Sequence, residues 1–188
     1  GQRYREGTLV VETDLQSPKG LIRVIDCLMV PRRGPVQAAW PGMFIRQVLV
    51  LEGEVEIGLV TRLRYAYGRN PPRWRGEGRK IIAYGPGLTV ELQSEIPPRP
   101  YGVDLGGTTT LPAGERRVMA LRWQDPTNKG TDLRQTVEET AAFWRLWGDA
   151  SGHDPRALQL KAMMYHPTGA MVRSATTSYG DGPRADVR

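Results

Sequence analysis

From Thr8 to Trp123 the sequence breaks into short apolar stretches separated by turn signals, and none of them shows a helical period. Such stretches satisfy their backbone groups only by pairing with neighbours, so the pattern predicts antiparallel sheets packed as a β-sandwich. Thr8–Asp14 and Leu21–Val30 flank Ser17-Pro-Lys-Gly20, a turn signature. A loop is predicted over Pro31–Pro41. Met43–Leu51 and Glu54–Tyr65 follow, and Glu52-Gly53 between them predicts a tight hairpin. Arg79–Tyr84 pairs with Gly87–Glu95 around Gly85-Pro86-Gly87, and Thr108–Leu111 with Gly114–Trp123 across Pro112-Ala-Gly114. Glycine (22) and proline (15) are abundant enough to make these turns.

The character changes after Trp123. Gln124–Gly130 (Q-D-P-T-N-K-G) is polar and reads as a linker. Thr131 or Asp132 then caps a helix, since an acceptor there satisfies free amides at the positive end. Leu133, Val137, Trp144 and Trp147 fall on one face, Phe143 flanks it, and Arg134 and Glu138 form an i,i+4 pair. Gly148 and Gly152 stop that helix. Asp154-Pro155 opens a second one, predicted to run to about His166 because Pro167 disfavours helix in the residue before it. From Ala157 to Tyr165 it reads A-L-Q-L-K-A-M-M-Y, with only Gln159 and Lys161 polar. A helix apolar on most sides needs several packing partners, and the residues after Tyr165 cannot supply them.

With 188 residues and 39% hydrophobic content, the chain can build a core without staples. One cysteine, Cys27, excludes an internal disulfide framework, and with only His153 and His166 beside it little material remains for a metal centre. No apolar run reaches the ~18–20 residues that span a bilayer, and no signal-peptide pattern is visible, so a cytoplasmic protein without membrane partners is expected. The net charge of +6 invites a nucleic-acid reading. Yet the 22 arginines are scattered. In the densest segment, Arg62–Lys80, Arg62 and Arg64 alternate with Leu63 and Tyr65 as on the outer face of a strand. No nucleic-acid signature accompanies them and no nucleic-acid partner is expected; a basic nucleic-acid-binding domain stands as the remotest alternative.

The segment Ala157-Leu-Gln-Leu-Lys-Ala-Met-Met-Tyr-His-Pro-Thr-Gly-Ala-Met-Val-Arg-Ser-Ala-Thr-Thr-Ser178 resembles glycoside hydrolase family 15, in its bacterial glucoamylase- and trehalase-like branch. Gly7–Thr13, Arg62–Gly68 and Glu138–Arg145 match in the expected order. The resemblance implies an amino-terminal β-sandwich of the super-sandwich type (1–124), a linker with an amphipathic helix (125–152), and the first element of an (α/α)6 catalytic barrel (153–188). It implies hydrolysis of α-glucosidic bonds with inversion and no cofactor. Inversion uses two carboxyl groups about 6.5–9.5 Å apart. In the family both are barrel glutamates that correspond to positions beyond Arg188, as does the W-x-R-D-type glucose-binding segment. Tyr179–Arg188 departs from the family pattern, and the resemblance implies that the family's first strands would precede Arg3. The expectation is therefore a non-catalytic fragment without catalytic residues of its own. Its partners would be the α-glucoside substrate of the complete enzyme and a barrel packed on residues 131–178, with self-association when that barrel is lacking.

Each candidate also has an ordinary reading. Thr176, Thr177 and Ser178 would stand near the glucose pocket of a complete barrel, or are plain loop hydroxyls. His166 would approach the sugar, or simply sits at a helix end favoured by the dipole. Glu52, Glu54 and Glu56 at period two read as a solvated strand face rather than a cation site. Trp40, Trp74 and Trp123 read as packing residues. As a sugar-stacking platform they would instead make the chain a stand-alone carbohydrate-binding sandwich.

Overall fold

The computed structural model describes residues 1–30, 42–77, 79–123, 132–165 and 169–171. The fold is mainly β, and every strand pairing among the described residues is antiparallel. Four strands open it: β1 (Gln2–Tyr4), β2 (Val11–Ser17), β3 (Gly20–Leu28) and the long β4 (Gly42–Thr61). Then come β5 (Arg73–Glu77), β6 (Lys80–Gly85), β7 (Leu88–Ser94), β8 (Arg99–Tyr101), β9 (Asp104–Pro112) and β10 (Arg116–Trp123). The order is β1-β2-β3-β4-β10-β7-β6-β5, with β9 joining β4 and β8 joining β9. The hairpins expected around Ser17–Gly20 and Gly85–Gly87 are present. The chain also turns at Pro112–Gly114, but the strands on either side do not pair with each other as expected: β9 pairs with the second part of β4 and β10 with its first part, because the long bent β4 offers both a partner.

The hairpin expected at Glu52-Gly53 is not. β4 runs straight through it as a single 20-residue strand. Its first part pairs with β3 and β10, and from Glu54 onward it pairs with β9. Leu21 faces Glu52 while Ile22 faces Val50, which leaves Leu51 as an extra, bulged residue. Gly53 adopts φ +76°. A positive-φ glycine beside a bulge bends a strand as readily as it makes a turn. The bend brings Val55 and Ile57 against Val48 and Val50 of the same strand, with Ile96 and Leu111 completing the cluster.

The other face of the sheet is closed by α1 (Leu133–Ala150). Met43 and Ile45 alternate toward it along β4. They join Val10, Ile25, Cys27, Met29, Val118 and Ala120 around Leu133, Val137 and Ala141. Asp132 is the cap, its carboxylate accepting from the Arg134 and Gln135 amides at 2.9 and 3.2 Å. Arg134 and Glu138 do not pair with each other as expected. Arg134 reaches Glu95 at 3.0 Å and Glu138 reaches Arg5 at 3.1 Å, both on the strand side, because the sheet offers each a better-placed partner.

The second helix, α2 (Pro155–Ala162), begins on the Asp154 cap but ends before the predicted boundary near His166. Met164–Tyr165 (β11) instead pairs with Ala170–Met171 (β12). Backbone pairing claims these residues ahead of Pro167, whose ring already disfavours helix just before it. Only Leu158 of α2 is buried, while Leu160 is half exposed. The expected loop at Pro31–Pro41 and linker at Gln124–Gly130 lie outside the described residues.

Candidate functional site

His166, Thr176, Thr177 and Ser178 lie outside the described residues, as does Trp40. Glu52, Glu54 and Glu56 are all exposed along β4. No cluster of three or more His, Cys, Asp or Glu able to hold a metal occurs among the described residues. No described helix is long and apolar enough to cross a membrane. Trp74 packs beside Ile81, Leu92 and Leu105, and its Nε1 donates to the Val103 carbonyl at 3.1 Å. The Trp123 ring lies so close over Gly42 that a Cβ there would overlap it. Both tryptophans serve packing.

The dense arginine segment is similarly committed. Asp104 accepts from Arg64 at 2.6 Å and lies 3.6 Å from Arg62. That Arg64 bond, assisted by Arg62, holds the Asp104 carboxyl below its ordinary range. Arg75 lies 5.7 Å from the centroid of the Tyr84 ring.

A larger convergence occurs where the β1–β2 turn meets the helices. Val30 and Leu9 pack with Trp144, Leu158, Phe143 and Trp147. Phe143 and Trp144 make an edge-to-face pair at 5.3 Å, and the Lys161 ammonium sits 4.8 Å from the Trp147 ring centroid. Arg5 fixes the turn to α1 by donating to Glu12 at 2.9 Å and to Glu138 at 3.1 Å. Burial opposes the Arg5 charge, but the bonds to these two glutamates outweigh it and leave the guanidinium held more firmly charged than usual.

Between the turn and the α1–α2 corner lies an open cleft of about 630 Å3. One wall is Tyr4–Leu9; the other is made by Arg145, Gly148, Asp149, His153, Pro155, Leu158 and Gln159. The corner is tight. Gly152 and His153 both take positive φ, +69° and +63°, and His153 Nε2 comes within 3.5 Å of Asp149 Oδ1. A non-glycine residue held in the left-handed region costs about 1–2 kcal/mol. The sequence shows His153 only as one of two histidines, and the cleft is not visible in it because its two walls lie more than a hundred residues apart in the chain.

No family model matches the chain. The chain is similar to three curated trehalases. It is 26% identical to trehalase of Mycolicibacterium smegmatis and 25% identical to that of Mycobacterium tuberculosis, each over 98% of this chain. Identity to trehalase of Thermoplasma volcanium is 23% over 94% of the chain. The alignments cover only 32%, 32% and 30% of the relatives' own lengths. The chain thus spans about a third of the length of each trehalase it matches.

Proposed function

We propose that this chain is the non-catalytic amino-terminal part of an inverting glycoside hydrolase of family 15, acting on an α-glucoside such as trehalose. In this reading the bent sheet is a β-sandwich. Residues 153–188 begin an (α/α)6 barrel that supplies both catalytic carboxyl groups and packs on residues 131–178. The observation that carries the proposal is the coverage: nearly all of this chain aligns with trehalases, over only a third of their length. The open helical edge supports it, since Leu146, Leu160 and Met171 stay half or more exposed. Large apolar residues left open beside a packed core suit an interaction surface. The single buried cysteine fits a cytoplasmic, reducing setting.

Two measurements test this. Incubating the chain with trehalose, maltose and isomaltose is expected to release no glucose; genuine turnover by the purified chain would overturn the non-catalytic assignment. In hydrogen exchange, the amides of α2 are expected to exchange much faster than those of Val137 and Ala141. Equal protection in a monodisperse monomer would count against an uncovered helical edge.

A further inference from the structure

We propose that the cleft between the β1–β2 turn and the α1–α2 corner binds a small neutral polyhydroxyl ligand, of the size and chemistry of a mono- or disaccharide. The inference rests on the cleft's own chemistry and stands without the trehalase similarity. Its volume of about 630 Å3 falls inside the range of roughly 300–1,000 Å3 typical of small-molecule sites.

The lining selects the ligand class. Leu9 on one side and Pro155 and Leu158 on the other give the cleft an apolar lining, and Gly148 adds no side chain to fill it. Arg145, Glu6, Asp149, His153 and Gln159 ring it with both donors and acceptors. Arg5 is already occupied by Glu12 and Glu138. An anion placed here would meet the carboxylates of Glu6 and Asp149, and a cation would meet Arg145. A neutral molecule escapes both penalties. One with C–H faces and a rim of hydroxyls uses the apolar lining and the polar groups together. The strained His153 backbone turns that side chain toward Asp149 at the corner, an arrangement of the kind found where a ligand is clamped. A seam between packed bodies is also a common place for such a site.

A plugging variant gives the test. A Cβ on Gly148 would sit at ordinary contact distance, 3.9 Å, from the Gly7 carbonyl oxygen and from Leu158. Gly148→Met should therefore extend into the cleft, and it improves helix propensity. Arg145→Ala removes one polar arm without filling the space. The full chain is titrated calorimetrically with glucose, trehalose and maltose, with inorganic phosphate as the anionic comparison. The expected result is saturable binding of at least one sugar, weakened about tenfold or more in both variants at an unchanged thermal midpoint. Should Gly148→Met fail to fold, Arg145→Ala decides. No saturation with any of the three sugars would overturn the proposal, as would sugar binding indifferent to the variants or phosphate binding in place of sugar. Sugar binding by the chain together with absent glycosidase activity in a longer protein containing it would refute the proposed function and leave this site standing.

Discussion

Gly20 and Gly53 face each other across β3 and β4 so closely that neither can carry a side chain. A Cβ on Gly53 would run into the Lys19 carbonyl oxygen, and one on Gly20 into that of Glu52. This contact is where β4 leaves β3 and turns toward β9, so two glycines fix the bend that gives the fold its second apolar cluster.

Gly53→Ala is expected to lose about 2–4 kcal/mol in urea unfolding, from left-handed strain plus backbone displacement. Gly114→Ala is the control. Gly114 also has positive φ, +84°, but open space around it. It should lose only about 1–2 kcal/mol. Equal losses at the two positions would mean that the close approach at Gly53 contributes nothing.

Acid should weaken the β1–β3 edge and the contact between Arg64 and the start of β9. Bonds from Arg23 and then Arg3 hold the Asp14 carboxyl well below the usual carboxylate range, and Arg64 lowers Asp104. The unfolded chain therefore binds these protons more readily than the folded one. Their contribution is complete above the unfolded value near pH 3.9 and is lost as pH falls from there toward the folded values. The urea midpoint should be flat around neutrality and drop below about pH 4. Asp14→Asn should lower it at neutral pH and flatten the acid slope. An unaltered slope would remove Asp14 from the account.

Helix α1 should unfold together with the sheet. Val137 is completely buried between them. Val137→Ala should cost about 2 kcal/mol through lost methyl burial and the cavity left behind, with one cooperative transition by far-ultraviolet and tryptophan signals alike. A cost below about 0.5 kcal/mol, the level of surface substitutions, would show that the helix is not seated there.

Cys27 should be inert in the native state. Burial first, and Asp26 second, push its thiol up to about 12. Because the thiolate is the reactive form, an aromatic disulfide reagent at pH 8 should label it only after urea is added. Fast labelling of the native chain would contradict the burial of β3.

Several features are legible in the sequence alone. The Asp132 and Asp154 caps, the inward positions Leu133, Val137 and Trp144, and the turns at Ser17–Gly20 and Pro112–Gly114 all follow from residues a few positions apart. The resemblance carried by 157–178 pointed to trehalase-like hydrolases, and the similarity to curated trehalases agrees at that level. Capping, periodicity and turn chemistry are short-range, so the sequence determines them alone. It could not determine whether Gly53 turns or bends a strand, since the same positive φ serves both and the opposing carbonyl comes from Lys19. Nor could it pair Arg134 with Glu95 and Glu138 with Arg5, or bring Tyr4–Leu9 to Arg145–Gln159. Those outcomes depend on which distant backbone lies opposite, and only the folded sheet with α1 across it decides that.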